Sequence, residues 1–271
     1  MIKTDNKLQD TLEDILATYT PKERLGFDPL QFPHRFRDPA DIEIAAFLSA
    51  LFAFGNVKQI LATLEAVFKI LGDHPVLFIK NFYFNKDSSI FDSITHRWIR
   101  GKDLAHLISL LQHVLLKHRS LYNLFLAGYS QTDNTIRGGL LSFNNTLLSF
   151  SYPAAHAYNT KGFRFFFADP ASGSPCKRWN LFLRWMIRDE KGLDFGLWKG
   201  IQPSKLIVPL DTHIAKIGQH LGLTSKKSPS WKMAEEITDS LKKFDKNDPV
   251  KYDFALCHFG ISKDFIRFGV K

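Results

Sequence analysis

Apolar positions in this chain recur at helical spacing almost from end to end. Leu8, Leu12, Ile15 and Leu16 share one stripe and predict a helix over 7–18. Pro21, Pro29, Pro33 and Pro39 then punctuate a partly basic connector that includes Arg35. Asp38-Pro39 opens a helix from Ile42 to Phe54 whose apolar residues cover nearly every face, so it should be buried. Gly55-Asn56 breaks it, and Val57 to Leu71 resumes with Ile60, Leu61, Leu64, Val67 and Phe68 on one side. Further helical patterns cover 76–85, 102–117, 119–128 and 134–150, and strand-like alternation is scarce, with Phe163 to Phe167 the best candidate. Residues 151–176, holding Ser151, Pro153, Gly162, Pro170, Gly173 and Pro175, read as a long irregular crossing. Helices over 176–188, 212–221, 231–243 and 249–259 complete the pattern, and a loop with Gly192, Gly196, Gly200 and Pro203 follows the first of these.

With no βαβ rhythm, the class is all-α. Two helical lobes are predicted, one over 41–175 and the other combining 1–40 with 176–271, with an active-site cleft between them. The content is 45% apolar and 23% charged, that of a globular chain, and no run of about twenty apolar residues suggests a membrane span. The N-terminus has no signal-peptide apolar core, which points to the cytoplasm. The formal charge of +9 changes the picture more, because such a surplus attracts polyanions. Cys176 and Cys257 are the only cysteines, too few for a disulfide framework, a four-cysteine zinc site or a four-cysteine iron–sulfur cluster. The ten histidines show no ligand spacing, so neither a catalytic metal nor a cofactor is expected.

Two short contexts carry candidate chemistry. In helix 176–188, Lys177, Arg184 and Arg188 fall on one face, and Trp179, Phe182, Leu183 and Met186 on the opposite one. The cationic face is either solvated or turned toward an anion; in the second case mutual repulsion would lower the pKa of the least exposed amine, as a nucleophilic lysine requires. Asp211, in Pro-Leu-Asp-Thr-His-Ile-Ala-Lys-Ile, is well placed to cap the helix that begins there. A capping carboxylate is also held rigidly enough to stabilise positive charge on a sugar carbon, so the two roles are compatible.

That segment resembles the Val-Asp-Thr-His stretch of the helix–hairpin–helix DNA glycosylases, the superfamily of endonuclease III. The resemblance implies that Asp211 is catalytic and that Lys177, 34 residues upstream (211 minus 177), is the Schiff-base lysine. This separation is similar to that in the archaeal 8-oxoguanine DNA glycosylase branch. There, Arg184 would stand where a second lysine lies, and Asp253 would match the acid that its C-terminal helix offers to the modified base. The Leu-Pro-Gly-Val-Gly hairpin is replaced by Ser172-Gly173-Ser174-Pro175, so Ser172 or Ser174 would take over part of its phosphate grip, with Arg178 and His213 beside them. His213 has an equally ordinary structural reading. Asn56 and Gln59 would fill the gap left by a rotated base and Lys58 would take a phosphate; alternatively Gly55-Asn56 is a plain helix-ending turn. Arg97, Arg100, Lys161, Arg164 and Lys205 are phosphate candidates in aggregate. The whole chain also resembles an uncharacterised bacterial family of hypothetical proteins.

The resulting expectation is a monomeric, nucleoid-associated repair glycosylase that removes an oxidised purine from double-stranded DNA, with AP-lyase activity. Two alternatives stay open. One is a non-catalytic binding protein for damaged or bent DNA; the other is a helical scaffold with no nucleic-acid partner.

Overall fold

The structure, a computed structural model, describes residues 2–150 and 160–262; residues 151–159 of the expected crossing lie outside the described residues. Along the chain run α1 (Ile2–Thr18), α2 (Pro21–Arg24), α3 (Pro39–Phe52), α4 (Val57–Leu71), α5 (Pro75–Lys80) and α6 (Phe84–Asp87). A hairpin of β1 (Thr95–His96) and β2 (Ile99–Arg100) leads into α7 (Gly101–His118), α8 (Leu121–Leu126), α9 (Arg137–Ser149) and α10 (Lys161–Phe165). Then come α11 (Lys177–Ile187), a second hairpin of β3 (Asp189–Glu190) and β4 (Asp194–Phe195), α12 (Thr212–His220), α13 (Trp231–Leu241) and α14 (Asp253–Ser262). The class is all-α: among the described residues, strands are confined to these two antiparallel pairs. Among them, too, no helix is long and apolar enough to cross a membrane.

The chain divides into two compact units. One is Phe27–Asp133 with Arg137–Asp169; the other is Met1–Gly26 with Asn134–Ile136 and Pro170–Lys271. The divisions fall near residues 26 and 169, whereas apolar patterning suggests 40 and 175. The Pro-rich connector goes with the first unit because Phe32 stacks on Phe68 of α4, with centroids 5.3 Å apart, and Arg35 makes a fork to Glu65.

In the first unit, α3 is the central element and every residue from Asp41 to Phe52 is buried. Asp38 caps it, accepting from the Ala40 and Asp41 N–H groups. Its two buried carboxylates have partners at other helix starts. Asp41 accepts from the Val76 N–H at the head of α5, and Glu43 from the Leu121 and Tyr122 N–H groups at the head of α8. Orphan amides at helix starts need acceptors, and here α3 supplies them.

Phe163–Phe167 forms no strand. Thr160 accepts from the Phe163 N–H at 3.0 Å and starts α10 instead. Thr160 in turn donates to Asp103, which closes a capping box with Arg100 at the head of α7. The expected 76–85 helix is interrupted between α5 and α6, and α7 ends where Arg119 turns left-handed at φ 69°.

In the second unit, α12 and α14 pack closely. A Cβ on Gly260 would lie 2.8 Å from His213 Cβ and 2.9 Å from Ile217 Cδ1, so glycine permits the approach. Helix α1 closes the unit through Tyr19, whose ring meets Phe259 at 5.9 Å and whose hydroxyl pairs with Ser262 at 2.9 Å.

Candidate active site

Buried apolar residues fix both arms of the site. Trp179, Phe182, Leu183 and Met186 anchor the inner face of α11, and the run Leu206, Ile207, Val208 and Leu210 leads buried to Asp211. The Val208 N–H donates to Thr238 on α13 at 3.0 Å, which holds that approach in register. Lys177 is the first residue of α11; Cys176 before it adopts φ 47°, and the Ser174 hydroxyl accepts from the Cys176 N–H.

Asp211 caps α12 with one oxygen only. Oδ1 accepts from the His213 and Ile214 N–H groups, both at 2.9 Å. Oδ2 faces Lys177 Nζ at 3.6 Å, and the Cys257 thiol donates to it at 3.7 Å. The Lys177 and Asp211 side chains remain 30% and 16% exposed. The capping and site roles thus coexist on one carboxylate, divided between its two oxygens. Cys257 is a site member that the sequence signalled only as a helix cysteine.

The rest of the α11 face differs from the expected cationic stripe. Arg184 is 2% exposed; its guanidinium donates to Asp253 and lies 3.3 Å from Asp194 Oδ1. Arg188 donates to Asp194 at 2.9 Å, to Asp248 at 2.6 Å, and pairs with Glu190. Burial opposes the Arg188 charge, but the carboxylates of Asp194, Asp248 and Glu190 outweigh it and raise its pKa. Repulsion from Arg184 and Arg188 therefore gives no handle on the Lys177 amine, because acids from β4, α14 and the Asp248 loop neutralise both. Arg184 and Asp253 are likewise engaged with each other in the interior, not displayed toward a base. Burial pushes the Asp253 carboxyl up to about 6; Arg184 works against that rise and the Asp211 charge adds to it. Asp211 and Asp253 therefore sense each other electrostatically.

The remaining candidates scatter. Arg178, predicted as a phosphate contact, is buried at 8% exposure, and burial pulls its guanidinium down to about 10. Ser172 is exposed at the end of a short 3₁₀ turn, Pro170–Ser172, and Ser174 is engaged with backbone. His213 Nδ1 lies 3.1 Å from the Gly260 carbonyl, which ties that ring nitrogen to α14. Asn56, Lys58 and Gln59 belong to the other unit. Asn56 caps α4 by accepting from the Lys58 N–H at 3.0 Å, and all three residues are exposed.

An exposed-enough amine beside a rigid carboxylate can hold, pass and accept a proton, and the amine nitrogen can act as a nucleophile. No curated protein and no solved structure matches the chain. Residues 28–262 match the family described as Protein of unknown function (DUF2400), and since that span is most of the chain, the protein belongs to this family.

Proposed function

We propose that the chain is a DNA base-excision glycosylase with AP-lyase activity, acting on duplex DNA that carries an oxidised purine such as 8-oxoguanine. The observation that carries this reading is the 3.6 Å approach of Lys177 Nζ to Asp211 Oδ2, from two different helix starts. The formal charge of +9 suits a polyanionic substrate.

In the proposed reaction the C1′–N9 bond breaks and its electron pair leaves with the base, while Asp211 stabilises the positive charge developing on the sugar. The Lys177 nitrogen lone pair bonds to C1′. The proton that Nζ sheds passes through Asp211 Oδ2 to the departing base. Transfer of a proton from water to O4′ then opens the ring, and because the nitrogen keeps its second proton a protonated imine is left. Loss of a C2′ proton then expels the 3′ phosphate and breaks the strand. Rotating the base out of the stack costs a few kcal/mol, which phosphate contacts and pocket stacking offset.

Borohydride trapping on duplex DNA containing 8-oxoguanine tests the scheme. The wild-type protein should cross-link, and Lys177→Gln should not. Equal trapping by the two proteins, or none by wild type, rejects the lysine chemistry. Retention of lesion DNA without any trapping would favour a binding protein instead.

A further inference from the structure

A second surface lies wholly in the unit that carries α3 to α10, and its argument does not use Lys177 or Asp211. Three short segments meet there: the Phe54–Gln59 turn, the Thr95–Lys102 hairpin and the Thr160–Phe165 helix start. Phe54, Trp98 and Phe165 form their junction. The Phe54 and Phe165 centroids are 4.6 Å apart, Trp98 meets Phe165 at 4.8 Å, and Phe54 meets Trp98 at 5.8 Å. All three rings are only half-buried. His96 pins the turn to the hairpin, its Nε2 lying 2.9 Å from the Phe54 carbonyl.

The same three segments carry Lys58, Arg97, Arg100, Lys102, Lys161 and Arg164, all exposed. The three segments contain no Asp or Glu. Asp103, just beyond, is buried in the α7 capping box, and Asp92 borders the patch beside Gly101. The three segments thus carry six cationic side chains and no acid of their own.

Arg97 is held there against backbone preference. It sits at φ 56° in the two-residue turn between β1 and β2, a place where glycine or asparagine meets less steric resistance. Its guanidinium lies over the Trp98 ring at 4.7 Å and its chain passes 3.3 Å from where a Gly55 Cβ would be. A strained residue whose side chain is aligned with an aromatic face at the surface suggests a function for that side chain.

Half-open rings bordered by cations match an unpaired nucleic-acid strand. Phosphates would meet the Lys and Arg side chains, and bases would stack on the rings, which a duplex cannot do because its base faces are already covered. We propose that this surface binds single-stranded nucleic acid, with Trp98 as the stacking residue and Lys58 and Arg97 as phosphate contacts. This goes beyond base excision and stands without it.

Fluorescence anisotropy with a lesion-free, fluorescein-labelled 20-mer tests it, using the strand as DNA, as RNA of the same sequence, and as the annealed DNA duplex. One of the single strands should bind at least about tenfold more tightly than the duplex, and the tighter of the two identifies the natural source. Trp98→Ala should weaken single-strand binding roughly 5- to 150-fold. Lys58→Gln with Arg97→Gln removes two cations and none of the three rings; it should lower the slope of log affinity against log salt by about 1.4, from ~0.7 per lost phosphate contact. Lys226→Gln with Lys232→Gln, exposed in the other unit, should change neither quantity. Duplex binding as tight as either single strand, or an unchanged salt slope in the Lys58/Arg97 double variant, overturns the proposal. No borohydride and no lesion enter this assay, so trapping can fail while strand binding succeeds, and the reverse.

Discussion

Asp211→Asn and Asp211→Ala separate the two tasks carried by one carboxylate. Asparagine caps helices about as well as aspartate, so its side-chain oxygen can still accept from the His213 and Ile214 N–H groups. What it loses is the charge opposite Lys177. That pair is partly exposed at 30% and 16% and separated by 3.6 Å, so solvent screens it and its contribution is about 0–1 kcal/mol. Alanine loses the same charge and also the cap, a further cost of about 1 kcal/mol. For a chain of this length 1 kcal/mol corresponds to roughly 2–4 °C in melting temperature. Calorimetry should therefore place Asp211→Asn within about 4 °C of wild type, and Asp211→Ala another ~2–4 °C lower. Trapping should fall about 100-fold or more in both, since both lose the carboxylate charge that the reaction uses. Equal melting temperatures for the two variants would refute the division of labour between Oδ1 and Oδ2. Wild-type trapping by Asp211→Asn would refute the catalytic part of the argument.

Arg184→Met leaves Asp253 without its buried partner and Asp194 with Arg188 alone; chemical denaturation should show a loss of about 3–5 kcal/mol, partly recovered by adding Asp253→Asn. His106 gives an acid-side prediction: burial, with Lys102 adding to it, pulls its imidazole down to about 4, and its ring packs 4.2 Å from Phe84. The folded pKa lies below the unfolded one near 6.5, so stability from the neutral ring is fully present above 6.5 and is lost as pH falls toward 4, by up to about 3 kcal/mol. Urea midpoints at pH 7 and pH 4.5 should diverge less for His106→Phe than for wild type, and parallel shifts would sink the assignment.

Helix α4 was legible from its apolar stripe, a local signal, while the Asn56 cap and the Gly72 stop come from the structure. Its apolar stripe runs from Ile60 to Leu71, Asn56 caps its start and Gly72 ends it at φ 70°. The approach of Lys177 to Asp211 was legible for a similar reason, since each residue opens a helix after a turn or an apolar run. The face carrying Arg184 and Arg188 was misread because helical spacing shows which residues share a side and not what lies opposite. Apart from Glu190, a near neighbour of Arg188 in sequence, their carboxylates come from 6, 10, 60 and 69 residues away. Asp41 and Glu43 posed the same difficulty inside α3. They fit an apolar helix only once the amides of α5 and α8 are known to need them. The Phe163–Phe167 run was ambiguous in itself, and a single hydroxyl, Thr160, decided it.

Charge location matters more than charge sum for the proposed chemistry. Arg184 and Arg188 add to the +9, yet buried acids take up both, so they attract no phosphate. Lys177 is different. It stands at the first position of α11, where the helix dipole is positive and a cation is disfavoured by about 0.3–1 kcal/mol. No acidic residue occupies that first turn, and the compensating charge comes from the cap of another helix, Asp211. A lysine chosen for stability alone would sit better at the C-terminal end of α11. The Lys177→Gln protein used for trapping therefore also reports on this point in its melting temperature. Because the dipole penalty and the screened ion pair are of similar size and opposite sign, the melt should move by no more than a few degrees. A trapping defect without a matching stability defect is the result expected of a residue held in place for what it does to a ligand. A large drop in melting temperature would instead make Lys177 a structural partner of Asp211.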